Sequence, residues 1–271
     1  MKKYLFSFFF ILFSIIIHAQ SIDEILSKYE LSNGGKQAFS ALKTLQYNST
    51  VSMNMQGMPI DINITNIVEK GKLYRRNMAG MMGMKGSYTL VTDTAGYTST
   101  PTIPSFGDFP GMEGGIKKMS KEDLQSLQSK LNTIEDFATL VDVNSKGSKA
   151  ELIGTVKVEK VDCYKIKLTN KTNDVAIYYI DIATMLTKQI ELSGKQIATM
   201  LGLDGAGPMG DMISGRMDKQ KATIIFAEYQ TIGGIKFPTK QKVQFGAVDV
   251  DIENTEVQIN QPIETKWYKA N

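Results

Sequence analysis

Asp249, Asp251 and Glu253 alternate near the end of the chain, so an extended backbone places three carboxylates on one face of a strand. Such a row could hold a hard cation through oxygen ligands. Val248, Val250 and Ile252 fill the other face, which is also the pattern of a solvated strand covering a core, and this second reading is preferred. Cys163 is the only cysteine and His18 the only histidine. Cys163 lies in a strand-like run between Asp162 and Tyr164 and reads as a structural thiol. His18 sits in an apolar leader, so the chain beyond it offers no His-based triad, no Cys–His pair and no zinc constellation. No glycine-rich loop precedes a Lys-Ser/Thr pair, which leaves phosphate cradling without its motif. Nothing marks a carboxylate-pair hydrolase, and the sequence predicts no enzyme, cofactor or metal.

The methionines are the remaining residues with distinctive chemistry. They cluster at 53, 55 and 58, at 78, 81, 82 and 84, and at 200, 209, 212 and 217. Soft thioethers can bind Cu(I), but the spacing is irregular and no histidine accompanies them. Flexible, polarisable Met side chains also suit apolar surfaces that accept more than one shape of partner. Met53 and Met55 fit either a core or a cavity wall. Met81, Met82 and Met84, interleaved with Gly80, Gly83 and Gly86, read as a sticky flap or an inert loop.

The leader sets the compartment. Lys2 and Lys3 precede an apolar run from Leu5 to Ile17, and His18-Ala19-Gln20 closes it with a small residue at the expected cut. This is the order of a secretory signal peptide. The run of about 13 residues is short of the roughly 20 that a spanning helix needs. Residues 1–19 are therefore expected to be removed, and the protein to work outside the cytoplasm. Without Lys2 and Lys3 the charge stands at 29 Lys and Arg against 28 Asp and Glu, or +1. That balance excludes a nucleic-acid binder, which needs clustered positive charge. One cysteine excludes an intrachain disulfide framework.

The elements that must position any site follow from periodicity. Ser21-Ile22-Asp23-Glu24 is a capping box, and Ile22, Ile25, Leu26 and Tyr29 form one helical face. Asn33-Gly34-Gly35 ends that helix, and a short second one runs from Lys36 to about Leu42. The period then changes to 2. Leu45, Tyr47, Val51, Met53 and Met55 share one strand face, and Ile60, Ile62, Ile64 and Val68 alternate with Asp61, Asn63, Thr65 and Glu69. With Gly57-Met58-Pro59 between them, the two strands predict an antiparallel hairpin. Strands follow at about 72–78, 86–92 and 95–100. A Pro/Gly-rich loop follows, then a helix capped by Ser120 that reaches about Leu131. A second series runs at about 150–158, 161–169, 175–182 and 185–193. After a Gly/Met-rich stretch at 200–217 the last strands run at about 221–230, 234–245 and 248–259. No linker or repeat divides residues 20–271, which are expected to form a single domain.

A mainly β chain with few helices must hide one apolar sheet face. Three helices cannot cover a flat sheet of about eleven strands, so the sheet is expected to curl into an open antiparallel β-barrel with a helical lid. That arrangement favours an apolar cavity.

The same segments resemble the LolA/LolB-like lipoprotein-carrier superfamily, in its outer-membrane lipoprotein-sorting-protein-like branch. Val68-Glu69-Lys70-Gly71-Lys72-Leu73-Tyr74-Arg75-Arg76 is similar to that family's strand entering a turn and leaving through an aromatic. Leu90 to Tyr97 is similar to its next hairpin. Ile22 to Leu45 with Gly34-Gly35, Tyr178-Tyr179-Ile180-Asp181 before Met185-Leu186, and Ile232 to Pro238 resemble further segments of the branch. The carriers hold their lid with an arginine followed by proline, and Lys70-Gly71 stands at the matching place, without a guanidinium fork to bond several carbonyls.

The resemblance implies a periplasmic, non-enzymatic carrier or binder of lipid or lipoprotein acyl chains, associated with outer-membrane biogenesis. Envelope membrane proteins are further candidate partners. The expected ligand-contacting residues are Met53, Met55, Ile60, Ile62, Ile64, Tyr74, Met78, Met81, Met82 and Met84, with Lys70 as lid contact. The alternative is a structural or partner-binding envelope protein with a filled barrel. A dry cavity of several hundred Å³ separates the two readings.

Overall fold

The computed structural model describes residues 21–55, 57–80, 85–105, 111, 113–132, 134, 136–201, 220–246 and 248–270. The expected signal peptide, the flap methionines Met81, Met82 and Met84, and nearly all of the stretch 200–217 lie outside the described residues.

Helix α1 (Ile22–Asn33) starts as its capping box predicts, with the Glu24 amide donating to Ser21 Oγ at 3.2 Å. It ends at Gly34, whose φ of 129° a side-chain-bearing residue rarely adopts. The space is closed as well, because a Cβ there would stand 2.6 Å from the carbonyl oxygen of Gly234. Gly34 thus lets the junction with α2 (Gly35–Ser40) lie directly on a strand turn.

The strands divide into two runs. The first is β1 (Thr44–Met55), β2 (Met58–Glu69), β3 (Leu73–Met78), β4 (Ser87–Thr92), β5 (Gly96–Thr100) and β6 (Gly115–Lys118). The second is β7 (Lys149–Val158), β8 (Val161–Thr169), β9 (Val175–Asp181), β10 (Thr187–Ser193), β11 (Lys221–Ile232), β12 (Ile235–Phe245) and β13 (Val248–Ile259). Among the described residues they form one antiparallel sheet of thirteen strands, in the order β6-β5-β4-β3-β2-β1-β13-β12-β11-β10-β9-β8-β7. The strand that periodicity does not predict is β6, whose four residues are all exposed and carry no inward face. Helix α4 (Gly194–Leu201) is a further addition to the three expected helices.

The topology explains the lid. The chain begins at the middle of the sheet, meanders to one edge at β6, and must cross to the opposite edge to start β7. It then meanders back until β13 pairs with β1. The crossing segment carries α3 (Lys121–Gln128), which has no buried residue, and then a plug whose Leu131, Ile134, Ala138, Leu140, Val141 and Val143 are all buried. Ile134, Ala138, Leu140, Val141 and Val143 join Ile25, Tyr29 and Phe39 of the opening helices, Leu42 after them and the inner face of the sheet in one core. Each fully buried aliphatic side chain contributes roughly 1.5–3 kcal/mol, so the plug rather than α3 holds the lid down. The sheet is curled, because α1 touches both β7 and β12, five strands apart. Strands lie about 4.8 Å apart and a helix is about 10–12 Å wide, so a flat sheet would keep the two out of reach. β6 and β7 are not paired to each other, and the barrel stays open.

The outer face carries a second, small core. Ile67, Leu73 and Leu90 are buried there under the C-terminal strap of Ile263, Trp267, Tyr268 and Ala270. Arg75, only 5% exposed, pins the strap. Its guanidinium donates to the carbonyls of Trp267 at 3.0 Å and Lys269 at 2.7 Å, and to Asn77 Oδ1 at 2.8 Å. It also lies over the rings of Tyr88 at 4.4 Å and Trp267 at 5.5 Å. Tyr268 OH donates to Glu69. Arg75→Lys keeps the charge and loses the fork, so the strap should detach. The expected result is a stability loss of about 2 kcal/mol by urea denaturation and faster tryptic cleavage at Lys266 and Lys269.

Buried tyrosines lock α1 to the sheet. Tyr29 OH and Thr187 Oγ1 share a hydrogen bond of 3.1 Å, and Asn33 Nδ2 donates to the Met185 carbonyl at 3.2 Å. Burial pushes the Tyr29 hydroxyl from 10.0 up to about 12. The unfolded chain therefore loses this proton first. The stabilisation is fully present below pH 10 and is lost as pH rises towards 12, by about 1.4 kcal/mol per pH unit. Tyr29→Phe should flatten the fall in stability across that window, measured as urea midpoints from pH 9 to 12.

Candidate functional site

The hairpin β1–β2 sets up the site. Its register pairs Met53 with Ile60, Val51 with Ile62, Ser49 with Ile64, Tyr47 with Asn66 and Leu45 with Val68. Cross-strand partners share a face, so all ten point to the interior side. β3 continues the rows with Met78 beside Ile64, Arg76 beside Asn66 and Tyr74 beside Val68. The apolar periodicity is broken at two inward positions, Ser49 and Asn66. They are linked, with Asn66 Nδ2 donating to Ser49 Oγ at 3.1 Å and Ser49 Oγ donating to Asn254 Oδ1 at 2.7 Å. Asn254 Nδ2 then donates to the Pro238 carbonyl at 2.9 Å. Ser49 and Asn254 are each 6% exposed.

This network forms part of the floor of a cavity of about 410 Å³. One wall is apolar and comes from β9–β11, with Tyr178, Ile190, Leu192, Ile224 and Phe226; Val51 and Ile252 extend it across the floor. The opposite wall is polar, with Asn66 and Arg76. Phe137, Thr139 and Lys130 of the crossing segment lie over it. Phe137 is fixed by rings: its centroid is 4.9 Å from Phe237 and 6.0 Å from Phe39, and Tyr47 meets Phe237 at 5.2 Å. This aromatic chain ties α2, the plug and the sheet together. At the far end Ser193 and Gln196 bond reciprocally, starting α4 so that Ile197 is buried in the core and Gln196 borders the cavity.

The structure brings only part of the expected set near this space. Met53, Ile62 and Tyr74 are half-buried and pack on the main core, while Ile64 is buried within it. Ile60 and Met78 are half-buried. None of these six lines the 410 Å³ cavity, which sits deeper, beside Val51, Ser49 and Tyr47. The side chain of Met55 lies outside the described residues. Lys70 is exposed in the β2–β3 turn, and the next residue, Gly71, donates its amide to the Leu131 carbonyl at 2.8 Å, so the turn meets the plug through backbone. The residues that sequence reasoning missed are the β9–β11 wall and the polar set Ser49, Asn66, Arg76, Asn254 and Lys130. Ser49 and Asn66 were legible as polar residues at apolar parity. The wall required knowledge of which strands face one another.

The residues considered for other chemistry lie elsewhere. Asp249, Asp251 and Glu253 line the face of β13 away from Val250, and Lys242 and Lys240 stand opposite Asp251 and Glu253. Lys242 also pairs with Asp249 at 3.0 Å. Cys163 is buried, and burial pushes its thiol pKa up.

A curled antiparallel sheet with a helical lid over an inner cavity is a LolA-like fold. A LolA superfamily protein from Nitrosomonas europaea has the same fold, with a TM-score of 0.52 at 10% identity over 93% of this chain and 98% of that one. Two further solved structures are similar over most of their length. An outer membrane lipoprotein-sorting protein domain from Vibrio parahaemolyticus is 10% identical over 90% of this chain and 94% of its own, with a TM-score of 0.49. A DUF1329 family protein from Desulfovibrio piger is 12% identical over 90% and 97%, with a TM-score of 0.47. No protein-family model and no curated protein matches the chain.

Asn254 is the keystone of the cavity floor. Asn254→Ala leaves Ser49 and the Pro238 carbonyl short of partners, which should lower stability by about 1–3 kcal/mol in urea denaturation. Asn63→Ala, on the exposed outer face, should change it by less than about 0.5 kcal/mol.

Proposed function

We propose that the protein is a periplasmic binder or carrier of acyl chains, acting without chemistry on its ligand. The observation that carries this reading is the cavity of about 410 Å³ beneath the plug, with a continuous apolar wall from Tyr178 to Phe226. An interior filled by side chains would have favoured a purely structural role. The LolA-like fold supports the same reading, since it places a lid over one side of a curled sheet. Among the described residues no helix is long and apolar enough to cross a membrane. The leader supports export, with the mature chain beginning at Gln20 or Ser21. Lipoprotein acyl chains and envelope membrane proteins are the partners this role brings.

Each methylene moved from water into the cavity is worth about 0.8 kcal/mol, so about ten give roughly 8 kcal/mol before ordering costs. Ile252 is half-buried and lines the cavity, whereas Asn63 is exposed on the outer face, where it accepts from Thr50. Ile252→Lys should weaken binding of a fluorescent fatty acid at least about ten-fold, because the ligand would desolvate the ammonium. Asn63→Lys should leave it unchanged. Circular dichroism confirms folding of both. Equal affinities in the two folded variants would remove the cavity from the function.

A further inference from the structure

The cavity is polarised from one side to the other, and that asymmetry bears on what the acyl chain carries at its end. The β9–β11 side presents Tyr178, Ile190, Leu192, Ile224 and Phe226. The β2–β3 side presents Asn66 and Arg76, adjacent in register, on the same inward row as Tyr47. Tyr74 lies two residues before Arg76 on the same face, about 7 Å along the strand. Lys130 of the crossing segment reaches over the Tyr74 ring, its Nζ 5.8 Å from the centroid. Two cationic side chains therefore border one corner of the cavity, one from the sheet and one from the lid. Among the described lining residues the two charged side chains are both cationic.

The floor leads from the apolar side to this corner through Asn254, Ser49 and Asn66, joined by hydrogen bonds of 2.7 and 3.1 Å. Bonded to one another and to the Pro238 carbonyl, these three side chains keep a polar strip on the inner face with little desolvation penalty. A ligand with a polar end meets that strip between the hydrocarbon wall and the cations.

Resting on the acyl-binding reading above, we propose that the ligand is a single acyl chain ended by an oxyanion, a carboxylate or a phosphate. The chain lies along the β9–β11 wall and the oxyanion sits beside Arg76 and Lys130. A guanidinium matches either oxyanion through paired N–H donors, and charge-assisted bonds of this kind are about twice as strong as neutral ones. The volume limits the cargo. A methylene takes up slightly less space than the roughly 30 Å³ of a liquid water, so 410 Å³ accepts on the order of a dozen heavy atoms. One medium chain with a small head fits.

The test is isothermal titration of the mature protein with decanoate, decyl phosphate, decanol and decylamine, each below its aggregation limit. Decanoate or decyl phosphate should bind at least about ten-fold tighter than decanol, and decylamine weakest. Which of the two oxyanions binds tighter distinguishes a free fatty acid from a phosphorylated lipid. Arg76→Gln should abolish the oxyanion preference while decanol binding holds. Lys130→Gln, on the lid, should reduce it a few-fold and serves as second reporter if the first variant does not fold. Decanol binding as tightly as decanoate would overturn the oxyanion while leaving acyl binding in place. Failure of all four ligands to bind would overturn both.

Discussion

An antiparallel sheet with one apolar face has to keep that face out of water, and the chain meets this requirement through its own connectivity. Because β1 lies in the middle of the sheet and the two strand runs end on opposite edges, the link between β6 and β7 has to pass over a face of the sheet. It passes over the inner one. The apolar residues of the plug, from Ile134 to Val143, turn this crossing into a cover. The opening helices, which precede the central strand β1, pack beside it. The lid is thus a consequence of strand order, and its stability comes from the same hydrocarbon contacts that close the core.

Coverage is complete at one end and partial at the other. Phe137 stands between Phe39 and Phe237, and this ring chain sets how closely the plug approaches the sheet. Beyond it the inner face is lined by smaller and polar side chains, Ser49, Asn66 and Asn254, which hydrogen-bond to one another instead of filling space. The cavity is the room left between the large rings and these short polar groups. Its apolar and polar sides come from different halves of the chain, the first from β9–β11 and the second from β2–β3.

The outer face shows the same economy with arginine. Arg75 and Arg76 are neighbours in sequence and, on a strand, face opposite sides. Arg75 bonds the backbone of the C-terminal strap and closes the small outer core, while Arg76 borders the inner cavity. One strand therefore serves both faces, one residue holding structure and the next facing the ligand space.

The local pattern of the chain was enough to determine α1 with its Ser21 cap and Gly34 stop, the long hairpin β1–β2, the second strand series and the mainly β class. Each of these depends on periodicity or on a cap, and both are properties of near neighbours. The inward parity of Val51, Ile62 and Ile64 was likewise visible, and so was the polar break at Ser49 and Asn66. Three things were decided only in three dimensions. The plug at Leu131–Val143 has no regular period, since it packs as an irregular crossing rather than as a helix face. The short edge strand β6 and helix α4 depend on partners elsewhere in the chain. The position of the cavity, deeper than Met53, Ile60 and Met78, depends on how far the sheet curls and on where Phe137 comes to rest. Pairings between β1 and β13 span about two hundred residues, and no local pattern records which distant side chains will line one cavity.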